Sequence, residues 1–391
     1  MLRITPFALA ALCVIALAGC QTYIGRMLTL RTIDVEDYRH LPTRPVLAAP
    51  GATPLESALT QDWISQAPFD AGGRRLTSQA ELDAFMESHD TTALVVLQNG
   101  KLVDERYYNG YTRDSLFKTF SMSKSLLSAL VGIAQSDGVL DVTEPVGNYV
   151  PLEHNPQVAA ITLEQLGDNV SGLRYRRGIA PWKEQPRMYY TSDVRALLRE
   201  VEVVRPPGQV FEAEELSPLL LAYALEQALV RKYPEMTLAR YTQERIWQPM
   251  GAQYDALWVI DHAGTGLEKS ESGFVARAVD LARFGQLYLD AGRAQGRQLV
   301  PESWVAASVS EPPAKSPTLT HDGFHRRLWW GQNVEGRTTP DFYANGHFGQ
   351  RIYVNPDKKL VLVRLGKDGA GINWTAVMGR ISQAWVLPTT H

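Results

Sequence analysis

Ser121 and Lys124 stand in the run Phe120-Ser121-Met122-Ser123-Lys124-Ser125, one helical turn apart. On a helix, residues three apart share a face, so the amine can reach the hydroxyl. That places a nucleophile beside a candidate base. Lysine removes a serine proton only when neutral, so its pKa must fall from about 10.4 to about 7 through burial and the positive helix N-terminus. The chemistry would be attack on an ester or amide carbonyl through a covalent acyl-enzyme. Ser115-Leu116-Phe117-Lys118 has the same spacing, so spacing alone does not choose. Ser121 is favoured by its sequel: Leu126, Leu127, Leu130, Val131 and Ala134 recur at helical period and bury one face, and Gly138 ends the helix. Ser115 instead follows Gly110-Tyr111-Thr112-Arg113-Asp114, a turn-like segment.

The elements that must position the pair are legible on both sides. Residues 93–97 and 102–108, joined at Asn99-Gly100, read as a β-hairpin. Residues 141–298 are mostly helical and loop-rich, with apolar runs at 219–226 and 278–285. Strands return at 349–354 and 360–364 around Asn355-Pro356-Asp357, and a last helix is expected over 374–385. Strands at both ends around a helical middle predict an α/β (α+β) fold: one antiparallel sheet from both termini, flanked by helices, with a mainly helical insertion.

Thirty-nine basic against 42 acidic residues give a net charge of −3 and no basic stripe, which argues against a nucleic-acid partner. No phosphate-binding glycine loop or dinucleotide fingerprint is present, and no cofactor is expected. His321-Asp322-Gly323-Phe324-His325 has metal-like spacing, but Gly323 points to a loop and no further ligand completes a set, so no metal is expected. Trp329-Trp330-Gly331 reads as core before a strand.

The amino terminus has the form of a bacterial lipoprotein signal: Arg3, an apolar stretch from Phe7 to Ala18 too short to span a bilayer comfortably, then Leu17-Ala18-Gly19-Cys20. Cys20 would become the lipidated first residue. Cys13 lies inside the signal, so the mature chain would have no disulfide. Three segments are expected: a signal over 1–19, a proline-punctuated tether over 20–68, and a catalytic body over 69–391. The place implied is the bacterial envelope, on the periplasmic side, with Gln21 after the cysteine favouring the outer membrane.

The ordered motifs resemble the serine β-lactamase and penicillin-binding-protein-like superfamily, in its class C-related branch of esterases and amide hydrolases. Beyond Ser121 and Lys124 these are Ile161-Thr162-Leu163 leading to Ser171-Gly172-Leu173, then Pro207-Gly208-Gln209-Val210-Phe211, Ser272-Gly273-Phe274 opening a helix, and Gly346-His347-Phe348-Gly349-Gln350. The resemblance implies that His347-Phe348-Gly349 stands at the family's third motif. His347 would then line the pocket, Gly349 would permit close backbone approach, and the amides of Ser121 and Gln350 would form the oxyanion hole.

The second motif departs from the family pattern, which has Tyr-x-Asn after Pro-Gly-x-x-Phe. Ala213 stands where the tyrosine is expected and Glu215 where the asparagine is. Either Lys124 works alone, or Glu214, Glu215, Tyr189 or Tyr190 substitutes in proton transfer, or catalysis has been lost. Two functions therefore compete. One is a lipid-anchored serine hydrolase acting on a small or cell-wall-derived ester or amide. The other is a catalytically silent relative that binds cell-wall peptide or an envelope partner.

Overall fold

Residues 91–98 are apolar or small almost throughout, and in the computed structural model all eight are buried in a strand, β1 (Thr91–Gln98). The model describes residues 22–59, 63–313, 315–321, 323–337, 339–369 and 371–385. Side chains alternate along a strand, so Ala93, Val95 and Leu97 enter one apolar cluster while Leu94 and Val96 enter another. A strand buried on both faces must lie inside a sheet covered twice. β2 (Lys101–Tyr107) follows through Asn99 and Gly100, both at positive φ (50° and 77°), as a two-residue hairpin turn with matching twist requires.

The carboxyl-terminal part supplies the rest of this sheet: β3 (Leu319–Thr320), β4 (Gly323–Arg326), β5 (Trp329–Gln332), β6 (Asp341–Gly346), β7 (Gln350–Asn355) and β8 (Leu360–Gly366). The eight strands are ordered β3-β4-β5-β6-β7-β8-β1-β2, each pair antiparallel. β8 joins the two ends of the chain, with Leu362 opposite Val96. The expected sheet from both termini is therefore present.

Five longer helices matter here: α1 (Gln79–Ser88), α2 (Ser123–Ser136), α3 (Leu216–Lys232), α4 (Ala278–Leu289) and α5 (Trp374–Ala384). Leu82, Phe85 and Met86 of α1 join Trp374, Val377, Met378 and Ile381 of α5 over the Leu94/Val96 face. On the other face α2, α3 and α4 bury Leu126, Leu130, Leu220, Leu225, Leu281 and Phe284 with Val95 and Val363. α3 is buried along most of its length, as expected of a helix apolar on nearly every side. Ser272-Gly273-Phe274 does not open α4 directly, because residues 274–276 first form a short strand.

Residues 22–46 differ from the expected tether. A helix over Tyr23–Leu30 is capped by the Thr22 hydroxyl, and Arg26, buried beneath it, donates to the carbonyls of Thr191 (2.7 Å) and Asp261 (2.5 Å). Thr43–Val46 pairs antiparallel with Ala256–Val259 in a second, four-stranded sheet. Proline content suggested a flexible spacer, but Leu30, Val35, Tyr38 and Leu41 provide apolar surface that the body buries. Among the described residues no helix is long and apolar enough to cross a membrane. Cys20 lies outside the described residues.

Candidate active site

Ser121 sits in a 3-10 turn, Phe120–Met122, that runs directly into α2. Phe120 adopts φ 49°, a conformation costing a non-glycine residue about 1–3 kcal/mol, so its surroundings must hold it. They do so with four hydrogen bonds. Thr119 N and Oγ1 both donate to the Phe274 carbonyl at 2.9 Å, Ser123 Oγ donates to the Phe120 carbonyl at 2.7 Å, and Phe274 N donates to Ser123 Oγ at 2.9 Å. The turn thus tips Ser121 out of the helix into a cleft of about 400 Å³. The amides that open a helix have no intrahelical acceptor, and Ser121 N–H is one of them.

Lys124 lies one turn on, its ammonium donating to the Glu214 carbonyl at 3.0 Å and standing 3.7 Å from Glu215 Oε1. The other Glu215 oxygen accepts from the Tyr175 hydroxyl. Burial, and then the Glu215 charge, push the Tyr175 phenol far above its ordinary value, so it is held as a proton donor. Ser121 and Glu215 both line the cleft. A hydroxyl, an amine, a carboxylate and a phenol are thereby gathered from three separate segments.

The two glutamates replacing the family motif have different fates. Glu214 is buried and acts as the cap of α3, accepting from Ser217 N (3.0 Å), Leu216 N and Asn169 Nδ2 (3.2 Å). Burial pushes its carboxyl up to about 7. It points away from the cleft, which removes it as a proton-transfer substitute, because its oxygens are consumed by the helix end. Glu215 faces Lys124. Above Ala213, whose carbonyl accepts from the Arg177 guanidinium, that guanidinium lies 5.2 Å from the Tyr175 ring centre.

The other expected site residues divide similarly. Tyr190 packs edge-on against Tyr189 and Tyr23 in the apolar cluster and does not reach the cleft. Tyr189 lines the cleft, but its hydroxyl is already engaged, accepting from Lys118 Nζ at 2.7 Å and donating to Asp37. Burial lowers Lys118 to about 7, with the Asp37 charge opposing the fall. Ser115 is not near this amine as a nucleophile: its hydroxyl accepts from Thr112 N in a turn, while Lys118 lies on a strand.

The third motif reaches the cleft at His347 and Phe348, as expected, but not at its glycine. Asn345, Gly346 and His347 line the cleft, whereas Gly349 and Gln350 do not. Gly349 packs on Trp374, where a Cβ would stand 2.2 Å from Cδ1. The Gln350 amide donates to the His347 carbonyl, and its side chain clamps Gly366 of β8 through bonds of 2.6 and 3.0 Å. That amide is therefore unavailable for an oxyanion. Gly346 is the glycine of close approach: a Cβ there would lie 2.4 Å from the Thr119 carbonyl. The His347 ring, at the exposed mouth, meets Phe120 edge-on at 5.6 Å and Phe348 at 4.1 Å, and this desolvation lowers its imidazole.

Four further cleft residues gave no signal in the sequence reading. Ile33 joins Phe120 and Phe348 from the amino-terminal segment. Arg177 and Gln185 come from an irregular loop and the start of a helix, and Glu271 from a turn. Glu271 is buried. One of its oxygens accepts from Ser272 Oγ at 2.9 Å, Lys269 Nζ stands at 3.8 Å, and Oε2 has no hydrogen-bond partner. Among the described residues no group of three histidine, cysteine, aspartate or glutamate side chains is gathered to hold a metal ion. His325 is packed tilted against Phe211 and edge-on to Trp330, and burial pushes it down to about 3.

The chain is similar to known proteins over most of its length. The chain is 26% identical over 346 residues to a 6-aminohexanoate-dimer hydrolase of Paenarthrobacter ureafaciens, covering 83% of this chain and 82% of that protein. A solved structure of a candidate 6-aminohexanoate-dimer hydrolase from Bacillus anthracis superposes with a TM-score of 0.74 at 24% identity, over 89% of this chain and 92% of that one. A class C β-lactamase shares the fold at a TM-score of 0.56 and 14% identity, over 79% and 95% of the two chains. The family model described as Beta-lactamase matches residues 79–371, which holds the Ser121–Lys124 helix, the Glu215 turn and strand β6, and the chain belongs to that family.

Proposed function

We propose that the protein is a serine hydrolase that cleaves an ester or amide, with amides of the 6-aminohexanoate kind the leading substrate class. The observation that carries this reading is the shared cleft: Ser121 and Glu215 line it together, and Lys124 stands 3.7 Å from Glu215 Oε1. The name of the relative sharing 26% identity supports the substrate class.

In the first step the Ser121 Oγ–carbon bond forms as the serine proton passes to Lys124 and a lysine proton passes on to Glu215. The amides of Ser121 and His347 receive the oxyanion, a contribution typically near 3 kcal/mol per donor. The carbon–nitrogen or carbon–oxygen bond then breaks, and the proton held by the pair goes to the leaving group. In the second step Glu215 accepts a proton from the water that attacks the acyl-enzyme, and that proton returns through Lys124 to Ser121 Oγ as the acyl–oxygen bond breaks. Tyr175 keeps its hydrogen bond to Glu215 throughout and so fixes the carboxylate's direction. Attachment to the envelope through lipid on Cys20 belongs to the same proposal.

The test is labelling with a fluorophosphonate followed by intact-mass and peptide analysis. One adduct on Ser121, absent in Ser121→Ala, is expected. An adduct elsewhere would overturn Ser121 as the nucleophile, and none would leave the chain as a binding-only member of the family.

A further inference from the structure

Between Cys20 and the first helix stand only Gln21 and Thr22. Three residue steps span at most about 10 Å. The helix over Tyr23–Leu30 is fixed to the body through Arg26 and through the Tyr23 hydroxyl donating to the Pro181 carbonyl at 2.5 Å. A lipid on Cys20 therefore has no long spacer to work through. Whatever face of the body carries this helix is held against the bilayer.

That face gathers the most exposed of the large apolar side chains among the described residues. Tyr23, Met27 and Leu30 turn inward, while Ile24 and Leu28, one turn apart on the outer side, are 67% and 72% exposed. The loop that Tyr23 grips presents Ile179 at 95% and Trp182 at 69% exposure. Tyr23, Pro181 and Trp182 line one shallow cavity, so helix and loop form one surface. Four large exposed apolar side chains on adjoining elements exceed the scattered singles of an ordinary surface, and tryptophan favours the membrane–water interface. An amphipathic helix lying in that plane buries its apolar face about 5–10 Å deep, which matches the reach from Cys20.

We infer that helix Tyr23–Leu30 and loop 179–182 form a bilayer-docking face, seated by the lipid on Cys20, and that the cleft opens beside it. The same loop continues into Arg177 on one side and Gln185 on the other, and both line the cleft. The rim of the active site then lies at the interface, where amphiphilic substrates concentrate. This rests on the acylation of Cys20, not on the chemistry of Ser121.

The experiment uses the full-length protein, extracted from membranes and reconstituted in phosphatidylethanolamine/phosphatidylglycerol vesicles whose acyl chains carry bromine. Trp182 is the one exposed tryptophan among the described residues, so contact quenching reports on it. Wild-type emission should fall on going from plain to brominated vesicles. Trp182→Phe should remove that fall, and Ile24→Glu with Leu28→Glu should reduce it by half or more. The fluorophosphonate labelling rate of Ser121, measured in detergent, should be the same in all three. A protein whose mass shows acylated Cys20 but whose emission is unquenched overturns the inference. So does a mass that shows no lipid on Cys20. Loss of Ser121 labelling with quenching intact would instead count against the hydrolase reading alone.

Discussion

Replacing Glu215 with glutamine removes one charge from the cleft while nearly preserving shape, and it separates catalysis from packing. At 3.7 Å, and with the effective dielectric near 20 that suits partly buried pairs, the Lys124–Glu215 attraction is about 4 kcal/mol before water compensates. Part of that returns when Lys124 keeps its bond to the Glu214 carbonyl, so the loss of fold stability should be about 1–2 kcal/mol. The kinetic loss is of another kind. Without the carboxylate the proton from serine or water has no terminal acceptor, and a general base contributes about 10² to 10⁴ in rate. At 1.36 kcal/mol per tenfold, this is about 3–5 kcal/mol of barrier. The assay is steady-state turnover of a p-nitrophenyl ester, with thermal unfolding of the same samples. Glu215→Gln should lower kcat at least about 100-fold with a small fall in Tm. Tyr175→Phe, which only loosens the carboxylate, should lower kcat by about tenfold. Unchanged turnover in Glu215→Gln would refute the relay. A large fall in Tm accompanied by an equal loss of activity in both variants would reduce Glu215 to a structural ion pair.

Two other outcomes follow from the geometry. Gly346→Ala would place a methyl 2.4 Å from the Thr119 carbonyl and push β6 off the nucleophile turn. Its kcat should drop about 10² to 10³-fold, the scale of a lost oxyanion donor, while His347→Ala, which keeps the amide and trims an exposed ring, should stay within tenfold in the same ester assay. Lys118 gives a pH signature: its pKa is about 7 folded against about 10.5 unfolded, so between these values the unfolded chain binds the extra proton. Stability should therefore rise as pH increases from about 7 to about 10.5. Urea titrations across that window should show the slope flattened in Lys118→Met, and a slope unchanged by that substitution would remove Lys118 as its source.

What could be read from the sequence follows from the range of the forces involved. The hairpin at Asn99-Gly100, the helix behind Ser121 and strands β7 and β8 announce themselves because turn chemistry and apolar periodicity are local. The nucleophile and its lysine were legible for the same reason, being one turn apart. The amino-terminal segment misled because its prolines are local signals of irregularity. Its burial depends on contacts more than 100 residues away, such as Arg26 with Thr191 and Asp261.

Tyr175 shows the limit most clearly. Nothing around Ser171-Gly172-Leu173-Arg174-Tyr175 marks a catalytic phenol, and its significance arises only when Glu215, 40 residues on, is folded against it. Ala213 removes a hydroxyl from the position where the family carries one, yet a phenol still meets the lysine's neighbour, delivered from another loop and separated from Lys124 by a carboxylate. In the proposed relay the proton path thereby gains a member with a lower ordinary pKa than either tyrosine or lysine. A carboxylate is a weaker base than a phenolate. Ala213 takes a hydroxyl away from the lysine, and Glu215 brings a carboxylate to it. On this account acylation of unactivated amides is the step this cleft performs least easily, and substrates with good leaving groups should turn over fastest.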